Sequence, residues 1–220
     1  MLKETLTFND VLLSPQYSDI TSRSQVKTSS YLDDRQWFDL PIISSPMDTI
    51  TEDKMATCMS DAGGFGIIHR YNSIDEQCNT INMTHGTKAA AIGMTGDYKE
   101  RAMALFEANT RILCVDVAHG HHIMMKECLE HLKSTFGHAV HIVAGNVATL
   151  EAFNDLADWG ADSIRVGIGG GSICSTRLVS GHGVPTLQSV LDCAKSDRKV
   201  SIIADGGIKT SGDMVKALAA

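Results

Sequence analysis

"VHIVAGNVATLEAFNDLADWGADSIRVGIGGG" (140–171) contains one complete structural unit. Its opening apolar run, "VHIVAGNVAT" (140–149), reads as a short buried strand. "LEAFNDLADWGAD" then places apolar residues at three- and four-residue spacing, the pattern of an amphipathic helix. Thr149 and Glu151 stand where a cap and a first-turn acid belong, and Gly160 where the helix should stop. A second strand-like run, "SIRVGIGGG" (163–171), completes strand–helix–strand. That order predicts parallel strands with the helix packed outside.

The same alternation extends in both directions. Further runs are "LPIISSPMD" (40–48), "GFGIIHR" (64–70), "KAAAIGM" (88–94), "RILCVDVAHG" (111–120) and "VSIIADGGI" (200–208), and "HIMMKECLEHLKSTFG" is another amphipathic stretch. Each run ends in small or polar residues, such as Ser44-Ser45-Pro46-Met47-Asp48, His69-Arg70, Asp116-Val117-Ala118-His119 and Gly145-Asn146. A doubly wound sheet concentrates its ligand groups at one or two switch-point loops, whereas a βα barrel gathers every strand end on one face. The expected fold class is therefore α/β, a TIM (β/α)8-type barrel. Seven βα units are visible, and the chain stops inside the next helix, "SGDMVKALAA", without the eighth strand.

Bulk properties fit one globular domain over residues 1–220. A net charge of −7 argues against nucleic acid and anionic membranes as partners. The start, "MLKETLTFND", has no apolar signal core, and no window approaches the roughly 20 apolar residues of a membrane span. Six cysteines are scattered without a CxxC pair, which fits a reduced cytoplasmic chain.

The chemistry concentrates in "GIGGGSICSTR" (167–177). The glycines Gly167, Gly169, Gly170 and Gly171 allow backbone to approach a ligand closely. Gly167-x-Gly169-x-x-Ser172 nearly matches a dinucleotide fingerprint, but that motif requires an immediate helix. Here "SICSTRLVSGHGVP" follows, which reads as a loop. Cys174 is the candidate nucleophile, with Arg177 and loop amides as its activating field. Cys58, Cys78, Cys128 and Cys193 lie in helical patterns and Cys114 in mid-strand, so all five are expected to be packing residues. "AHGHH" (118–122) lacks the i, i+4 spacing of a helical metal site. In "ADGGI" (204–208), Asp205 offers oxygens to two ribose hydroxyls, and Gly206 and Gly207 offer N–H groups to a phosphate. The plainer alternative is a tight βα turn with an Asp cap. Taken together, these residues suit a phosphorylated, sugar-bearing substrate attacked by a thiol.

"LTFNDVLLSPQYSD", "SSPMDTITE", "GGFGIIHRYNSIDEQ", "VDVAHGH", "AGNVAT", "GADSIRVGIGGGSICSTRLVSGHGVP" and "IIADGGIKTSGDMVKALAA" together resemble the IMP dehydrogenase / GMP reductase family. The resemblance implies that Cys174 attacks C2 of the purine and that Thr176 assists proton transfer. It places Ser172, Asp205, Gly206 and Gly207 at the phosphate and ribose, with Ser45, Met47, Asn146 and Arg165 lining the pocket. Asp116, Val117, Ala118, Gly167, Ile168 and Gly169 fall on the cofactor side, which takes NAD in a dehydrogenase and NADPH in a reductase. The carbonyls of Gly169, Gly171 and Cys174 match a monovalent-cation site, K+. A homotetramer is also implied.

The chain departs from that pattern at Gly170, where proline is common, and at Ser175. Further departures are His182 and Thr186, the latter standing for a glutamine after Pro185. Only about a helix separates "HRYNSIDEQ" from "KAAAIGM", so the CBS modules of many dehydrogenases are expected to be absent. The reading that follows is oxidation of IMP to XMP. The alternatives are GMP reduction to IMP and a truncated, non-catalytic nucleotide-binding homologue. A flavin-binding phosphate barrel, with Cys174 dispensable, is a weaker option.

Overall fold

A computed structural model describes residues 4–220; the first three residues of the "MLKETLTFND" start lie outside it. After a single 3-10 turn (Arg23–Gln25) comes a hairpin of β1 (Ser30–Asp33) and β2 (Gln36–Phe38). There follow β3 (Ile43–Ser44), α1 (Asp53–Asp61), β4 (Phe65–Ile68), α2 (Ile74–Met83), β5 (Ala89–Ile92) and α3 (Tyr98–Glu107). The chain continues through β6 (Ile112–Asp116), α4 (Ile123–Phe136), β7 (His141–Val147), α5 (Leu150–Asp158) and β8 (Ser163–Val166). The last elements are α6 (Thr176–Ser180), α7 (Thr186–Cys193), β9 (Ser201–Ala204) and α8 (Ser211–Ala219).

All seven apolar runs form strands, and these make one parallel sheet in the order β3-β4-β5-β6-β7-β8-β9. Strictly sequential parallel order with intervening helices is the topology of a βα barrel, here with β3 and β9 as the sheet edges. The 140–171 unit folds as its sequence predicts: the Thr149 side chain accepts the Ala152 N–H at the start of α5, and Gly160 follows its end with φ +106°.

Alternation along the strands builds two cores. Phe65, Ile67, Ala89, Ala91, Ile112, Cys114 and Val143 pack together inside the barrel with Leu32 of the hairpin. Ile68, Ala90, Ile92, Leu113, Val115, Ile142 and Ala144 face the helices. Both faces are buried, which is why the strands read as nearly continuous apolar runs.

The hairpin closes the end of the barrel where the strands begin. His141 at the start of β7 meets Asp33 Oδ2 through Nδ1 at 2.6 Å and Ser163 Oγ through Nε2 at 2.9 Å. Phe38 stacks at a tilt on Phe65 with centroids 4.7 Å apart. The strands finish at the opposite end, which the hairpin leaves uncovered. Among the described residues, no helix is long and apolar enough to cross a membrane.

Candidate active site

The strand ends are tied together by a buried cation. Arg165 on β8 lies opposite Gly145 on β7, where a Cβ would stand 2.6 Å from the Arg165 Cβ. Glycine there leaves Arg165 room to cross the barrel interior. Its Nη1 bonds Asp116 Oδ1 at the end of β6, and its Nη2 bonds Asp205 Oδ2 after β9 at 2.8 Å. Burial opposes the charge of Arg165, but the surrounding acidic groups outweigh it and hold the guanidinium more firmly protonated than usual. Asn146 Nδ2 donates to the same Asp205 oxygen at 2.5 Å and to the Gly167 carbonyl at 2.7 Å.

Arg165 and Asn146 were expected to line a pocket; both are largely buried and act on the Asp205 side chain. Asp205, offered by the sequence to two ribose hydroxyls, receives both of these donors on Oδ2. The loop after β6 is laced to β7 by Val117 N–H to the Gly145 carbonyl and Asn146 N–H to the Val117 carbonyl, at 3.0 and 2.8 Å. This holds Asp116 and Val117 at the rim, and Ala118 is exposed beside them.

The glycine loop is closed at its base by an antiparallel bridge between Ile168 and Val184. Gly169, with φ +81°, allows the Arg177 stem to fold over it; a Cβ there would meet Arg177 Cγ at 2.8 Å. The far side of the loop rests on the turn after β9. A Cβ on Gly206 would stand 3.0 Å from the Gly171 nitrogen, and one on Gly207 3.2 Å from the Gly170 carbonyl. Both turn glycines have positive φ, +82° and +76°. Two strips of backbone therefore lie against each other, with exposed Ser172 next in the chain to Gly171.

Cys174 is half-buried in this loop, its Sγ hydrogen-bonded to Thr176 Oγ1 at 3.1 Å. The Thr176 hydroxyl, the Thr176 and Gly169 backbone and the Arg177 charge hold the thiol below its ordinary range, against a small burial penalty. Burial instead pushes the Cys114, Cys128 and Cys193 thiols up to about 12. One of the five cysteines expected to be packed is not: Cys58 lies on the outer face of α1 and is exposed. The loop also differs from expectation in containing α6, a short helix that begins at Thr176 itself.

Ser45 and Met47 follow β3 at the same end of the sheet, without a hydrogen bond to the Arg165 cluster. Thr51, fully buried and not singled out from sequence, fixes them by donating to the Ser45 carbonyl at 2.6 Å while lying 3.0 Å from Ser44 Oγ. Arg70 was likewise missed as a site residue; its Nη2 bonds the Asp116 carbonyl at 3.2 Å. The histidines of "AHGHH" serve separate ends. His122 caps α4, and His121 pairs with Asp155 at 2.7 Å.

The IMP dehydrogenase / GMP reductase domain model matches residues 5–220. The chain belongs to that family. The inosine-5'-monophosphate dehydrogenase of Nitrosopumilus maritimus is 30% identical, with 99% of this chain and 73% of the relative covered. That alignment runs over 347 residues, so the relative carries inserted sequence with no counterpart in this chain. The GMP reductase of Leishmania major is 31% identical, covering 100% of this chain and 73% of the relative. Among solved structures, an inosine 5' monophosphate dehydrogenase from Legionella pneumophila superposes with TM-score 0.93 at 46% identity. It covers 98% of this chain, which spans 66% of the Legionella chain. A GMP reductase from Trypanosoma brucei gives TM-score 0.94 at 27% identity, covering 99% of this chain and 79% of its own. Members of this family are oxidoreductases.

Proposed function

We propose that the chain oxidises IMP to XMP through a covalent bond between Cys174 and purine C2. The observation carrying this reading is the activated Cys174–Thr176 pair on a loop docked to the Asp205–Gly206–Gly207 turn. In this reading Asp205 Oδ1 accepts a ribose hydroxyl, and N–H groups of Ser172, Gly206 and Gly207 receive the phosphate. Asn146 and Arg165 keep Asp205 oriented, and Ser45 and Met47 border the base. The Cys174 thiolate forms an S–C2 bond, and the C2 hydrogen departs as hydride, leaving a thioimidate. Water then adds at C2, the S–C2 bond breaks, and XMP leaves with the thiolate restored. Thr176, 3.1 Å from Sγ, is placed to pass a proton in the hydrolytic half.

NAD supplies the hydride acceptor in this scheme. The rim residues fit such a cofactor: Asp116 presents a carboxylate fixed through Oδ1, with Val117 and Ala118 beside it and Gly167, Ile168 and Gly169 across the opening. K+ belongs to the same proposal. Carbonyls of Gly169, Gly171 and Cys174 form an all-oxygen donor set suited to a hard cation. The Gly171 carbonyl accepts the Cys174 N–H at 3.2 Å, which ties two of these three residues together. A single domain without CBS modules, a cytoplasmic setting and a homotetramer complete the reading. The first is supported by the close succession of β4, α2 and β5.

The 46% identity to the Legionella dehydrogenase favours oxidation. The second reading, reduction of GMP with NADPH, draws on the 31% identity to the Leishmania reductase. Paired absorbance assays in potassium buffer separate them. Reduced nicotinamide rising with IMP and NAD supports the first, and its fall with GMP and NADPH the second. Cys174→Ala should abolish turnover while retaining nucleotide binding, because only the covalent step is removed. Turnover by Cys174→Ala would refute the mechanism.

A further inference from the structure

Thr186, the first residue of α7, has no part in the chemistry above, yet four pieces of the candidate site converge on its hydroxyl. The residue is only 4% exposed. Its Oγ1 lies 2.3 Å from the place a Cβ on Gly170 would occupy, 3.4 Å from that on Gly167 and 3.7 Å from that on Gly207. It donates a long hydrogen bond, 3.4 Å, to the Asp205 carbonyl. The glycine loop and the turn after β9 thus meet across one buried oxygen.

The contact is restrictive in both directions. Gly170 has no positive φ, so its backbone would accept an L side chain; the obstacle is Thr186. Threonine is branched at Cβ and stiff at χ1. The other neighbours of a Gly170 Cβ are ordinary contacts at 3.5 Å with Gly206.

We propose that Thr186 is a positioning residue for nucleotide binding: it locks the Gly170–Gly171 backbone against the Asp205–Gly207 turn and is the reason residue 170 is glycine. The inference rests on the reading that this junction receives the nucleotide. It adds a residue packed against both phosphate-binding strips, whose hydroxyl sets their spacing.

A double-mutant cycle on the full chain tests it, with Kd for IMP and GMP measured calorimetrically and unfolding midpoints measured without ligand. Gly170→Ala should weaken binding by about tenfold, because a 2.3 Å contact is relieved only when one backbone strip moves by most of an ångström. In a Thr186→Ala background, the same Gly170→Ala change should weaken it less than about twofold, since the obstructing atoms are gone. Thr186→Ser keeps the hydroxyl and should bind within about twofold of wild type. Thr186→Val keeps the bulk without the donor and should bind several-fold more weakly. Additive effects in the cycle, or Thr186→Val binding as tightly as Thr186→Ser, would overturn the proposal. So would a cycle that couples in the unfolding midpoints alone while Kd stays constant, which marks a purely structural contact. If wild type binds neither nucleotide, the reading of the site itself has failed, and the positioning role falls with it. An additive cycle in a wild type that binds leaves the site reading intact and removes only Thr186.

Discussion

Replacing Arg165 by methionine tests the organising feature of the site. Methionine fills a similar volume but leaves Asp116 and Asp205 without their shared cation, and the Asn146 amide is left as the donor to the Asp205 carboxylate among the described residues. Removing one partner of a buried ion pair costs about 3–5 kcal/mol, because the remaining charge is left uncompensated. The Asp116 and Asp205 side chains keep 17% and 21% exposure, so water offsets part of that penalty. A loss of about 2–3 kcal/mol is the working estimate. At about 2–4 °C per kcal/mol for a chain of this size, the thermal midpoint should fall by roughly 4–12 °C. Scanning calorimetry measures it. Arg165→Met combined with Asp116→Asn should recover part of the loss, since it removes one of the stranded charges. Arg165→Lys restores a charge but not the fork that engages two carboxylates at once. It should regain stability while leaving nucleotide binding impaired. An Arg165→Met midpoint within about 1 °C of wild type would refute the assignment of a buried, charge-balancing role.

Two further expectations follow from titration. Iodoacetamide near pH 7.5 should modify Cys174 ahead of exposed Cys58 and well ahead of Cys114, Cys128 and Cys193, and Thr176→Val should slow the Cys174 reaction; peptide mass mapping reads the order. Equal rates at Cys174 and Cys58 would contradict the activated thiol. At the closed end of the barrel, burial holds His141 below its usual 6.5, although its hydrogen bond to Asp33 works the other way. The unfolded chain therefore takes up that proton first as pH falls, so stability is full above about 6.5 and declines from there towards the folded value. Urea midpoints at pH 7.5, 6.0 and 5.0 should show a slope in wild type that is shallower in His141→Gln, and equal slopes would remove His141 from the linkage.

What the sequence disclosed and what it withheld divide along the range of the interactions. The seven strands were legible because a barrel strand is buried on both faces and ends in a polar residue, two local signals that survive in one dimension. Asp205 and the glycine loop were legible for the same reason. The hairpin was missed although "YLDDRQWF" carries a turn signal, Asp33 accepting the Arg35 and Gln36 N–H groups, because two strands this short hold little apolar pattern. Arg165 was placed in the site, but its pairing with two carboxylates was not legible. Its two carboxylate partners are 49 and 40 residues away, and nothing near it in the chain says that it faces inward. The one clue is Gly145, which becomes interpretable only once strand register sets it opposite Arg165. Gly170 and Thr186 make the same point more sharply. Along the chain they are two unrelated departures from the pattern the sequence resembles. In the fold, the threonine hydroxyl occupies the space that a side chain at 170 would need, so the two departures are one packing solution. The residues that touch a ligand leave marks in their own neighbourhood of sequence. Those that hold such residues in place are specified by contacts between distant segments, and become visible only when the barrel brings the segments together.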